Sequence, residues 1–304
     1  MKLHFPGFYP LGNNDIIDML DRAAIVLDTD ALLCLYKLKE EDALRLLTII
    51  ETCRDRLWLP HEVAWLYHHK LNDEILKQIN NIQNTLSHFT SCEQNIKAPL
   101  SYPYLSSATW TRLEEILHQI MGECNQQKSE LAGRLNNCNI KNQIDSLFRG
   151  KMGNPYDEGA LSNIYREGAE RYRCQIPPGF CSTDNPDDRI KYHDLIIWKE
   201  LQNYASTADK DVVLVTGKVK QDWYYIVDNK IISTLHKLIN EFYNFTNKKF
   251  HCISISNYVD KLYEKAHLPE VYKLDLVQAL SEDTSIESIN LSYNETVSNG
   301  MNSI

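Results

Sequence analysis

The sequence predicts an α/β protein with a parallel sheet flanked by helices. Two observations carry this prediction. Short apolar runs start and stop abruptly, as in AIVL at 24–27 and DVVLVT at 211–216, and the segments between them place apolar residues at helical spacing. Such runs read as buried parallel strands, and strands alternating with helices build a parallel sheet.

The elements follow in order. Residues 1–20 predict a lead-in with a short helix capped near Asn14. The first strand covers 24–28, and the helical pattern Leu32, Leu33, Leu35, Tyr36 follows it directly. EEDALRLLTIIETCR (40–54) predicts a helix, and RLWL (56–59) a short second strand stopped by Pro60. Pro60 favours the first turn of a further helix, predicted from His61 to about His88. Residues from about 72 to 150 are rich in Asn, Gln and Lys, with helical periodicity at 109–121 and 125–148 and an interruption, KAPLSYPYLSS, at 97–107. They read as a helical insertion. Helices are then predicted at 155–172 and 191–204, a third strand at 211–216, a helix at 231–243, a fourth strand at 250–256 and a last helix at 258–267. The expected organisation is one domain over 1–280 with a loose polar tail at 281–304.

Composition narrows the function classes. Apolar residues make up 43% and charged residues 24% of 304 residues, which describes an ordinary soluble globular protein. No apolar run approaches the ~20 residues of a membrane span. The N-terminus lacks the apolar core of a signal peptide, so a cytoplasmic location is expected. None of the eight cysteines forms a CxxC pair. They are expected as thiols, and a structural zinc has little support. The net charge of −9 argues against an extended surface for duplex nucleic acid. It leaves room for a basic rim around an acidic pocket.

Three aspartates stand out. Asp28 closes the first strand, with Asp30 two residues on. Asp194 lies in the first turn of KYHDLIIWKEL, and Asp222 follows VVLVT by six residues. Ligand sites in open α/β sheets lie at the carboxyl ends of strands. Asp28 and the loop carrying Asp222 should therefore share one sheet edge. Asp28 has two readings here, a helix cap or an active-site acid. Three carboxylates meeting at that edge would make an oxygen-ligand site for Mg²⁺ or Mn²⁺, the kind that activates water against phosphate.

These motifs resemble the PIN-like nucleases, most closely the bacterial PIN-like domains with a long helical insertion. The landmarks are VLDTDALLCLY, LWLPHEVAWLY, RYRCQIPPGF, YHDLIIWKEL, VVLVTGKVKQDWYY and INEFYNFTNKKFHCIS, over roughly 20–268. The resemblance implies a parallel sheet flanked by helices and metal-dependent hydrolysis of RNA or DNA, RNA being favoured. It implies Asp28, Asp194 and Asp222 as metal ligands, with Glu62 or Asp30 auxiliary. By analogy with bacterial relatives it also suggests a toxin or phage-defence setting. A homodimer or an operon-encoded protein partner is a further expectation.

The chain departs from the family at several positions. Leu66 stands where an acid is usual, with Glu62 one turn back on the same helix face. The nearest acid after IPPGF is Asp184. Gly217 and Lys218 stand where one or two acids are usual. Lys218 has three readings: it replaces a metal's charge, holds a phosphate, or is a surface lysine in a loop. The alternative function is therefore a catalytically degenerate module that binds nucleic acid or a partner protein. Phosphate-contacting candidates are Lys218, Lys220, Arg171 and Arg173, within a wider basic group of Arg149, Lys151 and Arg166. Trp198, Trp223 and Tyr224 either stack on bases or belong to the core. HEVAWLYHH lacks the second histidine of a zinc helix, and Asp28-Thr29-Asp30 fits a phosphatase DxD without the paired acids that class needs after a later strand.

Overall fold

The computed structural model describes residues 1, 5–9, 11–97, 105–181, 185–228, 230–266 and 280. In chain order the elements are α1 (Asn13–Arg22), β1 (Ala24–Leu27), α2 (Thr29–Cys34), α3 (Glu40–Glu51), α4 (His61–Lys97), α5 (Ser107–Arg134), α6 (Asn139–Leu147), α7 (Glu158–Arg173) and α8 (Asp188–Lys191). They continue as α9 (His193–Ala208), β2 (Val212–Thr216), β3 (Tyr224–Val227), β4 (Lys230–Thr234), α10 (His236–Thr246), β5 (Phe250–Ser254) and α11 (Ile255–Ala266).

The sheet is parallel, in the order β1-β2-β5, with Ala24 opposite Val212 and Val212 opposite Phe250. Every residue of β1 and β2 is buried. Continuous apolar strands need a cover on both faces, and the flanking helices supply it. The centre of the core is Trp198, whose ring centroid lies 5.0 Å from Phe250, 5.4 Å from Phe242 and 5.9 Å from Trp223. Trp198, Trp223 and Tyr224 are all buried. Among the described residues no disulfide joins the cysteines, and no helix is long and apolar enough to cross a membrane.

Several elements differ from the sequence expectation. RLWL makes only single bridges, Ile25 to Leu57 and Leu59 to Met152, because Pro60 cannot extend the ladder. The helix from His61 runs on to Lys97, and α5 is continuous across 121–125. Residues 230–234, expected to open a helix, instead pair antiparallel with 224–227. Their alternating burial is the period of a half-exposed strand. Residues 98–104, Asp184, His267 and the 281–304 tail lie outside the described residues.

His251 on β5 is partly buried against the Thr234 hydroxyl, 3.1 Å away. Burial lowers its pKa from 6.5 to about 4. Between those values the unfolded chain holds a proton that the folded chain does not. The contribution of His251 to stability is therefore complete above pH 6.5 and falls as the pH drops towards 4. Denaturant titrations of wild type and His251→Gln at several pH values should show this part of the acid loss only in wild type.

Candidate active site

The pocket begins with Asp28, where β1 ends and α2 starts. Its Oδ1 accepts the Ala31 N–H at 2.6 Å and the Gly217 N–H at 3.0 Å. Asp28 thus caps α2 and ties it to the end of β2. Burial and the neighbouring Asp30 push its pKa up to about 7, against the pull of those two N–H groups and Lys220.

Gly217 is fixed by packing. A Cβ there would overlap the backbone of Asp30 and Ala31. The chain passes so close over the first turn of α2 that no side chain fits. The missing acid at this position follows from that close approach.

Asp194 sits in the first turn of α9 and is 5% exposed. Its Oδ1 lies 3.3 Å from His193 Nε2, and Lys220 Nζ lies 2.9 and 3.3 Å from its two oxygens. Burial alone would raise the Asp194 pKa. The charges of His193 and Lys220 hold it well below the usual carboxylate range.

Asp222 is 0% exposed. Its Oδ2 accepts the Gly179 N–H at 2.5 Å, while its buried Oδ1 has no hydrogen-bond partner of ordinary geometry among the described residues. Burial, and then Asp194, raise its pKa. Gly179 has φ +94°, and a Cβ there would overlap the Tyr172 hydroxyl and crowd Asp194. The IPPGF loop therefore closes directly onto two of the aspartates.

Arg171 holds that loop in place. It donates to the Pro177 carbonyl and to both Glu241 oxygens, at 3.0 and 2.7 Å. Trp198 and Gln202 also donate to Glu241. Arg171, a candidate for phosphate on sequence grounds, is placed in this inward network. Arg173 is exposed and pairs with Glu170 on its own helix.

The two lysines of the β2 loop separate. Lys218 Nζ is 3.9 Å from Asp30, on a side chain that is 38% exposed. Lys220 points inward and is 13% exposed. Burial alone would lower the Lys220 pKa, but Asp194, Asp30 and Asp222 together raise it far above the ordinary value.

Glu62 lies apart from the aspartates. It is 1% exposed and pairs with Arg189 at 2.8 Å, and Arg189 also stacks over the Trp65 ring at 3.8 Å. Burial raises the Glu62 pKa against that pairing, and the charge of His193 reaches it. The Glu62 N–H donates to Glu200, whose pKa burial pushes up to about 8. Leu66, one turn further, is buried in the core. Arg189, Glu200 and Gly179 escaped the sequence reading. Glu200 showed only as an acid on the buried face of a helix and Gly179 as a glycine after paired prolines, while Arg189 lies in a polar stretch, NPDDRIK, that gives no signal.

The sequence pattern of the family described as PIN like domain matches residues 24–238. The chain belongs to the PIN-like domain family. The match takes in Asp28, Asp30, Asp194, Lys220 and Asp222. No curated protein and no solved structure matches the chain. PIN-like domains have a nuclease-type fold, are generally dependent on a divalent metal and commonly bind nucleic acid.

The donor set can be weighed against such a metal. Carboxylate oxygens are the donors that Mg²⁺ and Mn²⁺ take. Asp28, Asp30, Asp194 and Asp222 stand near the ammonium groups of Lys218 and Lys220 and the imidazole of His193. Among the described residues the buried Asp222 Oδ1 has no hydrogen-bond partner within ordinary geometry, and the Cys181 thiol is the group beside Asp222. In donor type the pocket fits an oxygen-ligated divalent ion. In placement, among the described residues no three His, Cys, Asp or Glu side chains stand close enough together to hold one. Lys220 is bound to Asp194 instead.

Gly217→Ala should destabilise the PIN-like fold by about 2–3 kcal/mol, since the added methyl overlaps fixed backbone. Urea titration of the two proteins measures it. An unchanged midpoint would show that the loop can lift off α2.

Proposed function

We propose that this PIN-like protein is a divalent-metal-dependent nuclease that hydrolyses phosphodiester bonds in RNA or other single-stranded nucleic acid. The observation that supports the reading is Asp194 held by Lys220 at 2.9 Å, with Asp28, Asp30 and Asp222 within electrostatic reach of the same lysine. Asp28, Asp194 and Asp222 would hold Mg²⁺ or Mn²⁺. Such an ion, when bound, would supply activation of water and stabilisation of a leaving oxygen.

The chain's own groups do the positioning. The N–H groups of Ala31 and Gly217 orient Asp28, and that of Gly179 orients Asp222. His193 steadies Asp194. Lys218, beside Asp30 and half-exposed, is the group placed to meet a phosphate at the rim. A toxin or phage-defence setting remains an analogy with bacterial PIN-like nucleases.

A specific observation favours a second reading. The Lys220–Asp194 ion pair, with Gly217 and Lys218 in place of acids, supports a degenerate module that binds nucleic acid or a protein partner through the same cleft.

Cleavage of single-stranded RNA and DNA with Mg²⁺ or Mn²⁺ separates the two. Asp28→Asn and Asp194→Asn should lower cleavage by at least roughly 100-fold, with folding checked by circular dichroism. Wild-type protein that binds RNA equally well in EDTA and never cleaves it would favour the degenerate module. Cleavage unchanged in Asp194→Asn would overturn the site.

A further inference from the structure

We propose that the outer face of the β3–β4 ribbon, together with the N-terminal turn packed beside it, is a stacking platform for the bases of a single-stranded nucleic acid. The inference rests on the nucleic-acid part of the reading above and needs neither a bound metal nor cleavage.

Four rings lie in a row outside the aspartate pocket. The Tyr225 and His236 centroids are 6.2 Å apart, those of His236 and Phe8 4.8 Å, and those of Phe8 and Phe5 6.5 Å. The interplanar angles are 74°, 33° and 65°, so no pair is a parallel stack and the rings do not use up each other's faces. Phe5, Phe8 and Tyr225 are 54%, 60% and 45% exposed. Scattered exposed apolar side chains are ordinary, but a contiguous run of them marks a binding surface.

The fold holds these rings outward. Ile226 and Ile231 pair across the ribbon and pack against the core, so Tyr225, Val227 and Lys230 face the other way. The turn Pro6–Phe8 is fixed on α10, where the Gly7 N–H donates to Asn240 Oδ1 at 2.8 Å. Gly7 also lies so close to the His236 carbonyl that no side chain fits there. Rings placed before a ligand arrives lose little freedom on binding it.

Charge selects the partner. Lys237 follows His236 on α10, and Lys230 lies opposite Val227 on the outward face. Both lysines are exposed, and neither makes an ion pair among the described residues. Of the acids close by in sequence, Glu241 is taken up by Arg171 and Asp228 sits at the ribbon tip. A purely apolar partner would leave both ammonium groups without a counter-charge. A single strand meets both features, since its phosphates suit the lysines and every base has a face to stack.

The platform also adjoins the pocket. The Leu235 N–H donates to the carbonyl of Trp223, at 2.9 Å, which ties the start of α10 to the residue after Asp222. Tyr225 is three residues from Asp222, at most about 11 Å of chain. A strand stacked on the rings therefore passes close to the aspartates.

The test uses a fluorescent single strand of roughly ten nucleotides, made as RNA and as DNA to show which source the platform takes, titrated with the full chain in EDTA and read by anisotropy. Phe8→Ala and Tyr225→Ala should each weaken binding about tenfold, and Tyr225→Phe, which keeps the ring, should stay within about twofold of wild type. Abasic sites in the strand should cost wild type a similar factor and the alanine variants much less. In wild type, a strand carrying 5-iodouracil should crosslink on irradiation to Tyr225, His236 or Phe8, as located by mass spectrometry. Equal binding by wild type and both alanine variants, or crosslinks confined to other residues, overturns the platform and leaves the nuclease reading to its cleavage assay. A dimer that Tyr225→Ala dissociates, with strand binding unchanged, makes the face a contact between copies of this chain and overturns the platform too. Absence of any strand binding by wild type in EDTA also overturns it, while cleavage with Mg²⁺ in the same preparation decides the aspartate pocket separately.

Discussion

A single carboxylate oxygen joins the parts of this protein that everything else depends on. Oδ1 of Asp28 takes one N–H from the first turn of α2 and another from Gly217 just after β2. The Asp28 N–H in turn donates to the Val215 carbonyl, 2.9 Å away. The end of β1, the start of α2 and the end of β2 are thereby fixed to one another. The cap and the pocket wall are the same residue, so the two readings open at sequence level describe one device. An N-cap spends one oxygen on the helix, and the charge it brings to the sheet edge remains.

The opposite wall has its own support. Arg171 and Glu241 form a half-buried pair that also binds Trp198, Gln202 and the Pro177 carbonyl. Buried charges need partners, and here the partners of the Arg171 terminal nitrogens and of Glu241 are the hub of the core and the loop that reaches Asp222. Core packing around Trp198 and placement of the Gly179 N–H are thus one structural problem. This is why a basic cluster near 171 reads as a phosphate rim from sequence and resolves into scaffold. The guanidinium faces a carboxylate on α10, distant in sequence, which no local pattern reveals.

Other parts were legible for clear reasons. AIVL and VVLVT have no polar residue inside them, so burial on both faces was the only economical fate. Asp28 and Asp222 could be expected at one edge because parallel strands share a direction, whereas Asp194, on a helix, was joined to them only by the family resemblance. The β3–β4 ribbon was hidden because Ile231 and Ile232 also satisfy a helical spacing that runs into α10. RLWL has strand composition, but Pro60 and its neighbours limit it to isolated bridges. Lys220 was visible as a basic residue near the acids. Its inward direction depends on a tight turn closed by Trp223 and Tyr224, and turns of that kind leave little periodic signal.

Counting acids against the family pattern therefore misjudges this site. Gly217 lacks a side chain because the backbone of Asp30 and Ala31 leaves no space for one, so an acid there would cost the contact that orients Asp28. Leu66 is core, and the acid one turn back is neutralised by Arg189. What decides the chemistry is the balance of charge around Lys220, in which four aspartates act on one buried ammonium. A pocket built this way is stable without a metal because the lysine is there. The same ion pair that argues against a preformed metal site is what lets the carboxylates be assembled before any metal arrives.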